Sequence, residues 1–172
     1  MRIQTERLIL RPLTIDDIDA VGKLLMDIEN TKLMVYMPKK NLEEVKKFLN
    51  DIEYELNKEK PSYYELAVVL NGSLVGVVSV YFDEAFECGE VGWIVDKLYW
   101  GNGYAYEASK AMIEMCLKGI NVRKFIAHCD SENKASIRVM EKLGMHLVDK
   151  YSGRKNRCSD EIREECKYEL CY

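Results

Sequence analysis

Hydrophobic and polar positions alternate along this chain with two different periods, and the switches between them outline the elements. Leu8, Leu10 and Leu13 alternate with Arg7, Ile9 and Arg11, which predicts a short first strand that Pro12 stops. Thr14 followed by Asp16 and Asp17 reads as an N-cap and an acidic first turn. The helix they open is expected over Ile15 to Ile28, with Ile18, Val21, Leu24, Leu25 and Ile28 on one face. A second helix is expected from Leu42 to Lys58, with Val45, Phe48, Leu49, Ile52 and Leu56 inward and Lys46, Lys47 and Glu55 outward. Pro61 ends this helical half.

The period then shortens. Tyr63 to Leu70 and Leu74 to Phe82 are β-rich runs joined by a turn that Asn71-Gly72 leads, a strong short-range hairpin signal. After the acidic segment Asp83 to Glu90, Val91 to Val95 continues the sheet. Gly101-Asn102-Gly103 then leads into a helix from Tyr104 to Leu117, with Ala105, Ala108, Met112, Met115 and Cys116 as its buried stripe. Lys124 to Cys129 is a strand, and Asn133 to Leu143 is a helix that Gly144 ends. His146 to Lys150 and Lys167 to Tyr172 read as closing strands. The polar stretch Ser152 to Glu165 has no clear period and is expected to be a long loop, the kind that often carries function. Helices interspersed with an antiparallel meander predict an α+β fold, a single mixed, mostly antiparallel sheet flanked by helices.

Composition narrows the function. The chain has 172 residues, which suits one domain over 1–172 with a sizeable core. A hydrophobic share of 48% and a charged share of 31% are those of a soluble globular protein. A net charge of -4 and a pI near 5.4 argue against general nucleic-acid binding and suit a cationic partner such as an amine. No apolar run approaches the ~20 residues that span a bilayer, and Met1 to Arg11 lacks the apolar core of a signal peptide. A cytoplasmic protein without membrane contact, monomer or homodimer, is the expectation. The cysteines Cys88, Cys116, Cys129, Cys158, Cys166 and Cys171 form no CxxC pair, and His128 and His146 are not spaced with them like zinc ligands. Free buried thiols and no metal are expected.

The segment Val91-Gly92-Trp93-Ile94-Val95 … Trp100-Gly101-Asn102-Gly103-Tyr104-Ala105 carries the chemistry. A strand delivers a glycine-rich turn that opens a helix. Such a turn presents backbone N–H groups with no intrahelical partner, at the positive end of the helix dipole. Glycine lets a phosphate approach the backbone closely. The turn is either a pyrophosphate site or a plain turn. It is no Walker loop, because no Gly-Lys-Ser/Thr follows, and no GxGxxG fingerprint is present.

Trp100-Gly101-Asn102-Gly103-Tyr104-Ala105 resembles the acyl-CoA pyrophosphate loop of the GNAT N-acetyltransferases, Q/R-x-x-G-x-G/A. Gly103 and Ala105 match, and Trp100 stands where Gln or Arg is usual. Asn133-Lys134-Ala135-Ser136-Ile137-Arg138 and Glu141-Lys142-Leu143-Gly144-Met145 resemble the N-x-x-S … E-K-L-G-F helix of the ribosomal-protein N-terminal acetyltransferase type. Thr5-Glu6-Arg7-Leu8-Ile9-Leu10-Arg11-Pro12 resembles that type's first strand. The stretches follow in order from the first strand to about residue 148.

The resemblance implies acetyl-CoA as donor and direct attack of a primary amine on the thioester in a ternary complex. It places the pantetheine arm along the backbone of Trp93, Ile94 and Val95. The pyrophosphate falls on the amides of Gly101, Asn102, Gly103, Tyr104 and Ala105, and Asn133 and Ser136 face the thioester end. Asn133 also reads simply as a helix N-cap. The reaction needs a neutral amine, an oxyanion donor and a proton for the departing thiolate. Many relatives supply that proton from a Tyr where this chain has Met140. The resemblance offers Ser136 instead, against a solvent-facing or self-capping serine, with Tyr104 and Tyr106 as weaker candidates. Glu90 stands where relatives often carry a Glu near the amine, and is either that group or a solvated charge; Glu87 is a lesser candidate. Asp160, Glu161, Glu164 and Glu165 read as solvated, with a hold on a cationic substrate as the alternative, and His128 reads as structural. The acceptor is a protein N-terminus on the family pattern or else a small amine, such as a polyamine, amino sugar or antibiotic. Specificity is expected in Asn30 to Lys40 and Ser152 to Glu165, which carry no readable pattern. The absent Tyr keeps a second class open, a non-catalytic CoA-binding protein. Nucleotide-phosphate binding without CoA is disfavoured, since no metal-binding Ser/Thr or paired Asp accompanies the turn.

Overall fold

A computed structural model of the chain describes residues 1–35, 39–120, 122–156 and 159–172. Among these residues, eight strands form one sheet in the order β1-β2-β3-β4-β5-β6-β8-β7. They are β1 (Ile3–Gln4), β2 (Ile9–Pro12), β3 (Tyr63–Leu70), β4 (Ser73–Phe82), β5 (Cys88–Val95), β6 (Lys124–Asp130), β7 (His146–Lys155) and β8 (Ile162–Cys171). The helices are α1 (Ile18–Met26), α2 (Ile28–Thr31), α3 (Leu42–Leu56), α4 (Tyr104–Gly119) and α5 (Lys134–Lys142). Every neighbouring pair is antiparallel except β5 and β6, whose parallel pairing requires the crossover that α4 supplies. The fold is therefore the α+β arrangement that the order of elements predicts.

Two apolar layers sandwich the sheet. Met112, Ile113 and Cys116 of α4 and Met140 of α5 pack with Leu8, Leu10, Leu66, Val78, Val91 and Phe125 on one face. On the other, Val21 and Leu24 of α1 and Val45, Leu49 and Ile52 of α3 pack with Ala67, Val69 and Val77. Side chains alternate along a strand. Since Val91, Phe125, Ala127 and Cys166 belong to the first layer, Glu90, Ile126, His128 and Glu165 stand on the face that α1 and α3 share. The turn at Asn71 (φ 50) and Gly72 (φ 84) has both central residues left-handed, which matches the twist of a tight hairpin.

Four expectations are corrected. The strand that ends at Pro12 is not the first: it is β2, with Pro12 paired with Leu66, and β1 (Ile3–Gln4) precedes it. The single helix from Ile15 to Ile28 is instead a 3-10 turn over Ile15–Asp17, then α1, then α2. Asp27 is extended, and its carboxylate accepts from the amides of Glu29 (2.8 Å) and Asn30 (3.3 Å), a local bond that competes with continuing the helix. Ile28 is consequently 63% exposed rather than in the core. Glu55 points inward: it accepts from the amide (2.6 Å) and hydroxyl (2.7 Å) of Ser62 and pairs with Lys58, tying the end of α3 to the start of β3. Ser152 to Glu165 is not one long loop, because β7 continues to Lys155 and β8 begins at Ile162. β7 is exposed along nearly all its length, so no apolar alternation announces it.

Cys116, Cys129 and Cys166 are buried free thiols, Cys88 is half-buried and Cys171 exposed; Cys158 lies outside the described residues. Burial pushes the Cys116 and Cys129 thiols up to about 12. Among the described residues no helix is long and apolar enough to cross a membrane.

Phe125 of β6 is fully buried and meets the Tyr172 ring edge-on at 6.1 Å. Truncating it leaves a cavity in the α4 layer. Phe125→Ala should cost about 3–5 kcal/mol in urea unfolding. A loss below about 1 kcal/mol, the size of an average substitution, would show that this layer is not closely packed.

Candidate active site

The sheet opens between β5 and β6. β5 and β6 pair at Cys88↔Lys124, Gly89↔Phe125 and Glu90↔Ile126, and then separate. β5 continues along β4 as far as Val95↔Gly76, and β6 continues along β8 as far as Asp130↔Glu165. Among the described residues no strand lies between the facing edges of residues 91–95 and 127–130. Unpaired backbone N–H and C=O groups in a sheet interior are costly unless another extended polar chain or water supplies the partners. Trp93 packs towards the α4 layer, Ile94 towards the α1 and α3 layer, and Val95 is buried.

The open edge of β5 runs directly into the glycine turn. Asp96 accepts from the Leu98 amide at 2.9 Å and starts a 3-10 turn over Lys97–Tyr99. The Trp100 indole then donates to the Val95 carbonyl at 2.7 Å, folding the chain back on the end of the strand. Gly101 (φ 79) and Gly103 (φ 82) are both left-handed, a conformation that costs other residues. The Asn102 side chain donates to the carbonyls of Tyr99 (3.0 Å) and Trp100 (3.1 Å). Gly103 is the N-cap of α4, and the first helical bond runs from the Glu107 amide to its carbonyl at 3.0 Å. Among the described residues the amides of Gly101 through Tyr106 have no acceptor. They form a row of free donors at the positive end of a 16-residue helix. A Cβ at Gly101 would meet nothing within 4 Å, so this side of the turn is open.

The far wall of the opening is the start of α5. Asn133 is its N-cap, accepting from the Ser136 amide at 3.1 Å, so the capping role is present. Ser136 is half-buried, and among the described residues its hydroxyl makes no hydrogen bond. Met140 is buried in the core and does not project into the opening. Asp130, at the end of β6, is enclosed by Arg163, Asn156 and the Glu132 amide. Burial pushes its carboxyl up, but these donors outweigh burial and hold it below the usual carboxylate range.

On the opposite face of the sheet Glu90 meets His128. Glu90 Oε1 lies 3.0 Å from His128 Nδ1, and among the described residues Nε2 makes no hydrogen bond. The bond to Glu90 raises the imidazole pKa, with burial opposing. Sequence reading sets His128 aside as structural. Residues 38 apart meet because the three paired positions of β5 and β6 fix their register; the alternation of both strands was the available sign. Nearby, Arg154 pairs with Glu165 and donates to the Leu33 carbonyl at 2.8 Å, joining the β7–β8 hairpin to the segment after α2. Burial and a bond to Glu165 push the Tyr151 hydroxyl up to about 12. Of the hairpin acids, Glu161 pairs with Arg163 and Glu165 with Arg154, while Asp160 and Glu164 are exposed. Residues 36–38 and 157–158, within the two expected specificity segments, lie outside the described residues. Among the described residues no group of His, Cys, Asp and Glu could hold a metal.

Comparison with known proteins agrees with this geometry. Residues 7–146 match the family described as the acetyltransferase (GNAT) domain. An uncharacterized N-acetyltransferase of Bacillus subtilis (strain 168), YnaD, is 34% identical over 148 residues, 84% of this chain and 82% of its own length. The crystal structure of a GNAT-family acetyltransferase from Bacillus anthracis matches with a TM-score of 0.84 at 27% identity, covering 99% of this chain and 98% of that one. RimL, a ribosomal L7/L12 alpha-N-protein acetyltransferase solved with coenzyme A, shares the fold at a TM-score of 0.85 and 15% identity, covering 99% and 98%. An open mixed sheet, a parted strand pair and a family match over most of the length lead to one conclusion: the chain belongs to the GNAT family and is an acetyl-CoA-dependent N-acetyltransferase.

Proposed function

We propose that the chain is one catalytic domain over 1–172 that acetylates protein N-terminal amino groups in the cytoplasm. The observation that carries the cofactor placement is that the parting of β5 from β6 leads straight to the amides of Gly101 through Ala105, which have no acceptor among the described residues. Those amides suit a pyrophosphate, with no Cβ at Gly101 or Gly103 to hold it off. The free edge at Trp93, Ile94 and Val95 suits the amide-bearing pantetheine arm, which pairs there as an added strand would. Acetyl-CoA supplies the acetyl group as a thioester.

The chain's own residues supply the rest. A backbone N–H of the open β5 edge stabilises the charge that develops on the attacked carbonyl oxygen. The Ser136 hydroxyl, without a partner among the described residues, donates to the departing sulfur, because Met140 is confined to the core. Glu90 and His128 act together on the incoming amine, taking its proton directly or through a water. An α-amino group titrates near 8, a lysine or polyamine nitrogen above about 10. A carboxylate–imidazole pair is matched to the first and poorly matched to the second, which favours an N-terminus. The fold likeness to RimL, a ribosomal L7/L12 alpha-N-protein acetyltransferase, supports the same acceptor. The exposed acids Asp160 and Glu164 favour one alternative, a small amine carrying a second positive charge.

Thiol release tests the acceptor. Peptides with a free N-terminus should support turnover, and the same peptides with a blocked N-terminus and a free lysine should not. Turnover with polyamines but no peptide would overturn the N-terminal reading.

Ser136→Ala should lower kcat about 10- to 1000-fold with little change in the KM for acetyl-CoA, as expected for a contact made in the transition state. An unchanged kcat would remove Ser136 from the mechanism.

The His128–Glu90 bond has a definite sign. A raised imidazole pKa stabilises the fold below the ordinary His value, and that stability is lost as pH rises through the raised value. In Glu90→Gln the His128 pKa read by NMR should fall, and the acid limb of kcat/KM should move with it to lower pH. A limb that stays in place while the His128 pKa moves would separate the pair from the chemistry.

A further inference from the structure

We infer that Arg7 is a positioning residue for the phosphate-binding turn, holding the Asn102–Gly103 peptide so that its N–H faces the cofactor. The inference rests on the cofactor placement proposed above. It gives the Thr5-Glu6-Arg7 stretch, which the catalytic scheme leaves unused, a task.

The turn has no cation of its own. Residues 100–106 are Trp, Gly, Asn, Gly, Tyr, Ala and Tyr, and Trp100 replaces the usual Gln or Arg. The charge near it comes from the connection between β1 and β2. Arg7 Nη1 donates to the Asn102 carbonyl at 3.0 Å. Its Nε donates to Glu107 at 2.7 Å, and Nη2 lies 2.7 Å from the same carboxylate oxygen. The other Glu107 oxygen accepts from the Thr5 hydroxyl (2.6 Å) and the Arg7 amide (2.9 Å). The guanidinium carbon sits 4.7 Å from the centre of the Tyr104 ring. One side chain thus touches the turn, the first residue of α4 and the carboxylate one turn into that helix.

Two consequences follow from this geometry. The peptide unit is planar and trans, so its C=O and N–H point in opposite directions. Drawing the Asn102 carbonyl towards Arg7 therefore aims the Gly103 amide the other way, where no acceptor among the described residues meets it. Second, Glu107 places a carboxylate in the first turn of α4, where it would repel a bound anion. The guanidinium neutralises it. Burial pushes the Glu107 carboxyl up, but the bonds from Thr5 and Arg7 outweigh burial and hold it below the usual carboxylate range.

The fork matters as well as the charge. A lysine has one ammonium and cannot hold the Glu107 carboxylate and the Asn102 carbonyl in the same plane. The test measures CoA affinity by calorimetry for the wild type, Arg7→Ala and Arg7→Lys, and turnover of acetyl-CoA against S-acetylpantetheine, which lacks the pyrophosphate. Arg7→Ala should weaken CoA binding about tenfold or more, the loss expected for a charge-assisted hydrogen bond. Its kcat at saturating acetyl-CoA should stay within about twofold, because the interaction is the same in ground and transition states. Kinetics with S-acetylpantetheine should not change, and Arg7→Lys should recover only part of the affinity. Unaltered CoA affinity in Arg7→Ala, full rescue by Lys, or an equal loss with S-acetylpantetheine would each overturn the inference; the last would reduce Arg7 to a general structural role. Gly103→Val separates the two levels. If it weakens CoA and Arg7→Ala does not, the positioning role fails alone. If neither weakens CoA, the cofactor placement fails with it.

Discussion

A strand inside a sheet loses a row of hydrogen bonds wherever it leaves its neighbour, and here that loss is accepted between β5 and β6. The parallel pairing stops after Glu90 and Ile126, and both strands continue without each other. What keeps the gap open is the pairing on the outer sides. β4 holds β5 through Val95, and β8 holds β6 through Asp130. Asp130 is further locked to the hairpin by Asn156 and Arg163, so β6 cannot swing back without breaking an enclosed ion pair. The opening is built into a rigid frame, which is what a site for an extended polar ligand requires.

The same frame places each chemical group. The end of β5 is folded back by the Trp100 indole on the Val95 carbonyl, and this delivers the free amides of α4 to the mouth of the gap. The start of α5 lines the other side with Asn133 and Ser136. Because β5 and β6 still pair as far as Glu90 and Ile126, Glu90 and His128 come together on the face away from α4 and α5. The amides of the glycine turn and the start of α5 thus lie at the parting on one side, and the Glu90–His128 pair lies on the other face of the sheet.

Much of this was readable from the chain. The Asn71-Gly72 turn and the Gly101–Gly103 turn were legible because left-handed backbone demands particular residues. α3 and α5 were legible because their apolar faces repeat with the helical period. The break at Asp27 was not, because a side-chain cap overrode a continuing apolar stripe. Glu55 looked solvated because its partner Ser62 lies beyond the helix. The length of the β7–β8 hairpin escaped because neither face of β7 is buried. The Glu90–His128 bond and the Arg7–Glu107 lock join residues 38 and 100 positions apart, and such contacts depend on sheet register rather than local pattern.

The most direct measurement is a titration of CoA into isotope-labelled protein, followed through the backbone amide resonances. The largest shifts should fall on Trp93, Ile94 and Val95 and on Gly101 through Tyr106, with smaller ones at Asn133 and Ser136. Shifts concentrated instead along α4 at Lys110, Glu114 and Lys118 and at Gln4, which line a depression of about 580 Å³, with the amides of Gly101 through Ala105 unmoved, would contradict the placement of the cofactor in the parted sheet.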